Sequence, residues 1–180
     1  MKKLFFLAIS FIIIMQLPAQ RRIDQLAGTV AEYASTLTLD KLKKATCITY
    51  YSGNGSVAPD YHYDCCIIVT PNEVNVKIYH GYDGTTVYDE SSDLLATDYT
   101  KFIKHLANQK IRKIVPEWPM LDGAGTSMLE VKIGNKEIFS GDEQYDVSVG
   151  NGNLIDAFLP LLPDDMRQAA LDPESYINTL

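Results

Sequence analysis

Residues 61–79 read YHYDCCIIVTPNEVNVKIY, and this stretch decides the fold. In its first half Tyr61, Tyr63, Cys65, Ile67 and Val69 alternate with His62, Asp64, Cys66 and Ile68; in its second Val74, Val76 and Ile78 alternate with Asn75 and Lys77. Such alternation places one set on each face of a strand. A tight turn at Pro71-Asn72 sets Val69 opposite Val74, Ile67 opposite Val76 and Cys65 opposite Ile78. The two apolar sets then share a face, and a slip of one residue would turn one of them into solvent. Upstream, residues 46–52 (TCITYYS) are equally rich in β-branched and aromatic side chains and are separated from Tyr61 by the turn-forming GNGSVAPD. The three segments predict an antiparallel meander.

Further outward the period changes to that of helices. Ile23, Leu26, Ala27, Val30, Ala34 and Leu37 recur at three and four residues and predict an amphipathic N-terminal helix. Thr97 is a candidate cap for a central helix with Tyr99, Phe102, Ile103 and Leu106 on one stripe and a stop at Asn108. Residues 116–125 (PEWPMLDGAG), which hold the only tryptophan, Trp118, read as a connection. Residues 126–133 and 136–140 form a hairpin around Gly134-Asn135, with Val131 facing Ile138 and Lys132 facing Glu137. Tyr145, Val147 and Val149 suggest a further short strand. Leu154, Ile155 and Phe158 open a helix cut short by Pro160, and Pro163 and Pro173 suit the first turns of two more. The order α, βββ, α, ββ(β), α predicts an α+β fold. It has a largely antiparallel sheet of five or six strands packed with an N-terminal helix, a central helix and C-terminal helices.

The first twenty residues predict export. Lys2 and Lys3 precede the apolar run LFFLAISFIIIM, and Pro18 and the small Ala19 suit a peptidase cutting before Gln20. We therefore expect a signal peptide over residues 1–19 and a single domain over 20–180. The apolar run is shorter than the roughly twenty residues a membrane span needs, and no later segment is long enough either. With no cysteine at the junction, the expected product is periplasmic or secreted and not a lipoprotein. Removing Lys2 and Lys3 from the 16 basic residues leaves 14 against 23 acidic ones, a net charge near −9. Such a surface repels phosphate backbones, so no nucleic-acid partner is expected.

Export puts the three cysteines where thiols oxidise. Cys65 belongs to the apolar set, whereas Cys66 shares the other face with His62, Asp64 and Ile68. If Ile48 and Tyr50 point inward and Ser52 pairs with Tyr61, Cys47 lies opposite Cys66. The expected disulfide is then Cys47 to Cys66, with Cys65 buried and free. A tetrahedral metal site from His62, Asp64, Cys66 and Cys47 is disfavoured, because alternate residues of a strand lie roughly 6.5–7 Å apart. His80 and His105 read as a loop residue and an exposed helix position. Asp142, Gln144 and Asp146 imitate the start of a calcium loop, but Val147 stands where glycine is needed. Gly150-x-Gly152 lacks the third glycine of a dinucleotide turn. No cofactor, metal or catalytic set is expected.

A surface argument remains. Tyr51, Ile68, Tyr79, Met128 and Phe139 fall on the outer sheet face, where they form either a docking surface or a second core layer beneath a helix. The expected function is an exported binding module of the cell envelope or extracellular space, recognising a protein or glycan through that face or through the loop of residues 52–60. An envelope-polymer hydrolase and a periplasmic inhibitor or immunity protein are the alternatives. The Ala19-Gln20 junction, the Ser52-Gly53-Asn54-Gly55 turn, the helix near Thr97 and the late hairpin leading to Gly141 make the chain resemble small exported α+β proteins of uncharacterised bacterial families, particularly those of Bacteroidetes-like bacteria. The resemblance implies export and an open antiparallel sheet with helices. It implies no activity and carries no functional residue.

Overall fold

The computed structural model describes residues 36–114 and 125–177. The chain divides at Thr36, and the fold set out here is that of the part from Leu37 onward. The signal segment, the expected N-terminal helix before Leu37 and the connection holding Trp118 before Gly125 lie outside the described residues; Leu37 itself is buried but not helical, its amide donating to the Ile111 carbonyl.

The fold is α+β. Its main sheet has six antiparallel strands, β1 (Cys47–Gly53), β2 (Tyr63–Val69), β3 (Glu73–His80), β4 (Thr85–Asp93), β6 (Thr126–Ile133) and β7 (Lys136–Asp142), in the order β4-β3-β2-β1-β6-β7. Strands β1 to β4 form a meander, and the chain returns through helix α2 (Ala96–Asn108) to add β6 on the free side of β1. Two short strands, β5 (Arg112–Lys113) and β8 (Val147–Ser148), make a separate two-stranded sheet. A one-turn helix, α1 (Leu39–Leu42), precedes β1, with Thr38 capping it and Leu42 buried while Lys43 and Lys44 face solvent. Two 3-10 turns, Leu154–Ala157 and Leu159–Leu161, lead to α3 (Asp164–Leu171) and α4 (Glu174–Ile177). Pro163 stands at the N-cap of α3.

Val69 pairs with Val74, Ile67 with Val76 and Cys65 with Ile78. All six side chains are buried on the face covered by the helices. Against them pack Phe102, Ile103 and Leu106 of α2 and Met166 and Ala169 of α3. Phe158 is fully buried, with its ring centroid 5.5 Å from Tyr50 and 5.1 Å from Phe102, so it joins sheet to helix. The stripe expected for α2 is buried throughout, and the helix ends at Asn108, followed by Lys110 in the left-handed region (φ 56°).

Several local expectations are corrected. Thr97 does not cap α2: the helix starts at Ala96, after Leu95 in extended backbone, without a side-chain cap. The sixth strand of the main sheet is β4, not the segment around Val147, which pairs with β5. β4 is an edge strand, exposed along most of its length, so its sequence TTVYDESSD needs no apolar alternation. In the last hairpin Lys132 does face Glu137, but a bulge after Val131 puts Phe139, and not Ile138, opposite Val131. β1 pairs with β2 through Ser52 and Cys65, four residues from the expected Ser52–Tyr61 match. This register brings Ile48 to Val69 and Tyr50 to Ile67, matching apolar residues along the whole strand.

Candidate binding surface

The outer face of the main sheet carries Tyr51, Ile68, Tyr79 and Met128, each half-buried. The structure gathers them. Tyr51 lies between Cys66 on β2 and Met128 on β6, Tyr79 pairs with Asp64, and Ile68 is the next outward residue after Cys66. Phe139 is not among them: the bulge turns it to the core side, where it is 5 % exposed.

Asp64 is the polar centre of the group. Its partner across β1 is Gly53, where an added Cβ would stand 2.5 Å from Asp64 Oδ1, so the carboxylate occupies the space a side chain would fill. Burial, and then the nearby Asp64 charge, hold the Tyr51 phenol well above its ordinary range. The role of Gly53 was not read from the sequence. A glycine opposite an acidic residue becomes informative only once the register is known.

The outer face leads toward one end of the sheet, formed by the β1–β2 loop and the β3–β4 turn. Asn54 closes the loop, donating from Nδ2 to the Tyr61 carbonyl (2.7 Å) and accepting from the Tyr63 amide (3.1 Å). Tyr82, from the turn, reaches across it: its hydroxyl donates to the Val57 carbonyl (2.8 Å) and accepts from the Val57 amide (3.1 Å). The Tyr82 ring stacks on His62 with centroids 3.9 Å apart and 28° between planes. His62 is 7 % exposed and its Nδ1 has no hydrogen-bond partner, whereas Tyr82 above it is 59 % exposed. The Gly81 amide donates to the His62 carbonyl, and a nitrogen of the His80 ring lies 3.2 Å from the Asp60 carbonyl. His80 therefore ends a strand and is not a loop residue.

Six large apolar or aromatic residues are exposed among the described residues, and three of them, Val57, Tyr61 and Tyr82, stand at this end. That concentration, and not the middle of the sheet face, marks the candidate site. The charge is one-sided: residues 53–64 and 79–86 contain Asp60, Asp64 and Asp83 but no lysine or arginine. Nearby Lys77 is held by Asp89 at 2.9 Å.

Cys65 is buried and free, as expected, but Cys47 and Cys66 are not brought together. All three are free. The observed register sets Cys66 beside Tyr51, so Cys47 is four residues further along β1, about 13 Å away and beyond disulfide reach. Burial pushes the thiols of Cys65 and Cys66 up to about 12, which keeps them protonated and unreactive near neutral pH. Cys47 is half-buried, at the start of its strand. Iodoacetamide at pH 8 is therefore expected to label Cys47 in the folded protein and all three cysteines after unfolding. A peptide map showing Cys66 labelled at the Cys47 rate would contradict this placement.

The remaining candidates resolve into structural roles. Asp146 Oδ1 accepts from the Asp142 amide (2.7 Å), its Oδ2 pairs with Lys113, and Asp142 Oδ1 accepts from the Gln144 amide (2.7 Å). The calcium-like spacing is thus consumed in closing a turn. Among the described residues no three metal-ligating side chains are grouped to hold an ion, and no helix is long and apolar enough to cross a membrane. A cleft of about 360 Å³ lies between α2 and the 3-10 turns, with Phe102, Ala157 and Leu161 inside and Asp98, Lys101 and His105 at its rim. Comparison with protein-family models gives no match to this chain, and comparison with curated proteins gives none either.

Proposed function

We propose that the chain is an exported binding module of the cell envelope or extracellular space, and that it docks a protein partner on the end of the sheet formed by Tyr61, Tyr82 and the loop between β1 and β2. The observation that carries this reading is Tyr82. The residue is 59 % exposed, yet its ring is fixed from below by His62 and at its tip by Val57. An exposed aromatic that is already immobilised loses little entropy on binding, which is the property of anchor residues in protein interfaces. Export is supported by the pattern of residues 2–20.

The test compares the mature protein with a Tyr61→Ala/Tyr82→Ala variant whose thermal unfolding shows it to be folded. Both are used to capture partners from the native envelope fraction, and each candidate is then re-bound in purified form. We expect a partner whose affinity falls about tenfold or more in the variant, the loss of two anchor side chains. Identical retention by the two proteins would remove the site. Dependence on the tyrosines, not capture itself, is the supporting result.

A further inference from the structure

Resting on that reading, we infer that the partner is basic and inserts an arginine at this end of the sheet, stacking its guanidinium on the open face of Tyr82 and meeting the carboxylates of the β1–β2 loop and the outer face. Two observations converge. First, the Tyr82 ring stacks on His62 while the residue stays 59 % exposed, so it offers a flat π-surface held in a fixed plane. Guanidinium planes stack on such surfaces, with arginine better suited than lysine because its charge is spread over a plane.

Second, Asp60 and Asp64 border the same end, Asp83 lies beside Tyr82 in the chain, and the two segments that build the end contain no cation to neutralise them. Asp83 spends Oδ1 on the Thr85 amide and hydroxyl, at 3.2 and 3.1 Å, and Asp64 holds the Tyr51 hydroxyl, so Asp60 and the second oxygens of Asp64 and Asp83 are the acceptors for a forked donor. The field extends beyond the site, since acidic residues outnumber basic ones 23 to 16 over the whole chain. A basic partner is steered toward this surface, and an anionic polymer is repelled.

A neutral glycan could stack on the ring, but it gains nothing from the accumulated charge. The charge therefore favours the basic protein.

The experiment titrates the full mature protein with an eight-residue Gly/Ser peptide carrying two arginines, and with its lysine and citrulline analogues, following the ring resonances of Tyr61 and Tyr82 by NMR. The expected order of affinity is arginine above lysine above citrulline, with arginine binding weakening as salt rises. Tyr82→Ala is expected to weaken arginine binding by about tenfold. The isosteric pair Asp60→Asn/Asp64→Asn is expected to weaken it comparably and to flatten its salt dependence. Glu73→Gln/Asp93→Asn removes the same charge at the far end of the sheet, where these two residues face each other, and is expected to leave binding unchanged.

Equal weakening by the far-end pair would reduce the effect to diffuse attraction and overturn the inference. Equal binding of citrulline and arginine, or no saturable shift, would also overturn it. If a captured partner depends on Tyr61 and Tyr82 but binds independently of salt and of its own arginines, the docking site stands and the basic partner falls. A neutral oligosaccharide that shifts Tyr82 without salt dependence, while the arginine peptide does not, would replace the basic protein by a glycan. If no captured protein depends on the two tyrosines, the docking reading itself fails.

Discussion

Phe158→Ala is expected to lower the unfolding free energy by about 3–5 kcal/mol, the range for removing a fully buried aromatic ring. Phe158 is fully buried, and its ring touches both Tyr50 on the sheet and Phe102 on α2. It stands between two 3-10 turns, Leu154–Ala157 and Leu159–Leu161, which have little stability of their own. Arg167 donates to the Leu159 and Leu162 carbonyls and Gln109 to the Asn153 carbonyl, but the ring fills the space between sheet and helix, so truncation leaves a cavity that the neighbouring helix cannot easily fill. Urea unfolding measures the loss. Leu95→Ala is the control, because Leu95 is 68 % exposed and its truncation should cost less than about 0.5 kcal/mol. A loss below about 1 kcal/mol for Phe158→Ala would mean that the C-terminal segments are not part of the cooperative core.

Gly141→Ala should cost about 1–3 kcal/mol, although alanine is elsewhere a mild replacement. Gly141 is buried opposite Leu129, and a Cβ there would stand 2.4 Å from Val147 Cγ2, 2.8 Å from Asp146 Oδ1 and 3.0 Å from Lys113 Nζ. Lys113 pairs with Asp146 and lies opposite Val147 within the small β5–β8 sheet, and Asp146 Oδ1 also accepts from the Asp142 amide at the end of β7, which ties that sheet to the main one. One methyl group must displace all three contacts. Hydrogen exchange should therefore show lost amide protection at Arg112–Lys113 and Val147–Ser148 before the main sheet changes. Wild-type stability and unchanged exchange in the variant would show that the two sheets are not locked at this point.

Legibility followed the strength of the local pattern. The β2–β3 hairpin was readable to the residue because both strands alternate cleanly and Pro71-Asn72 leaves only a short turn. The stripe of α2 was equally clear, and all four of its expected residues are buried. β4 escaped detection because an edge strand can be polar on both sides. The bulge after Val131 escaped because one extra residue on one strand leaves no mark in composition, yet it decides that Phe139 is core and not surface. The candidate site was half visible. The loop of residues 52–60 and the tyrosines of the outer face could be named, but not Tyr82, which joins them through a stack and hydrogen bonds to residues about twenty to twenty-five positions away.

The amino-acid sequence by itself determined the α+β class, the facing of β2 and β3, the helical stripe of α2 and the one-sided negative charge, since each depends on neighbours within a few residues along the chain. Tertiary structure decided which distant residues meet. It moved Cys66 away from Cys47 by a four-residue change of register, folded Phe139 inward, opened space for Asp64 over Gly53 and stacked Tyr82 on His62. The reason is that period and propensity are local properties. Register between strands, and the packing of a turn on a loop, are settled by the match of whole surfaces when the chain closes on itself.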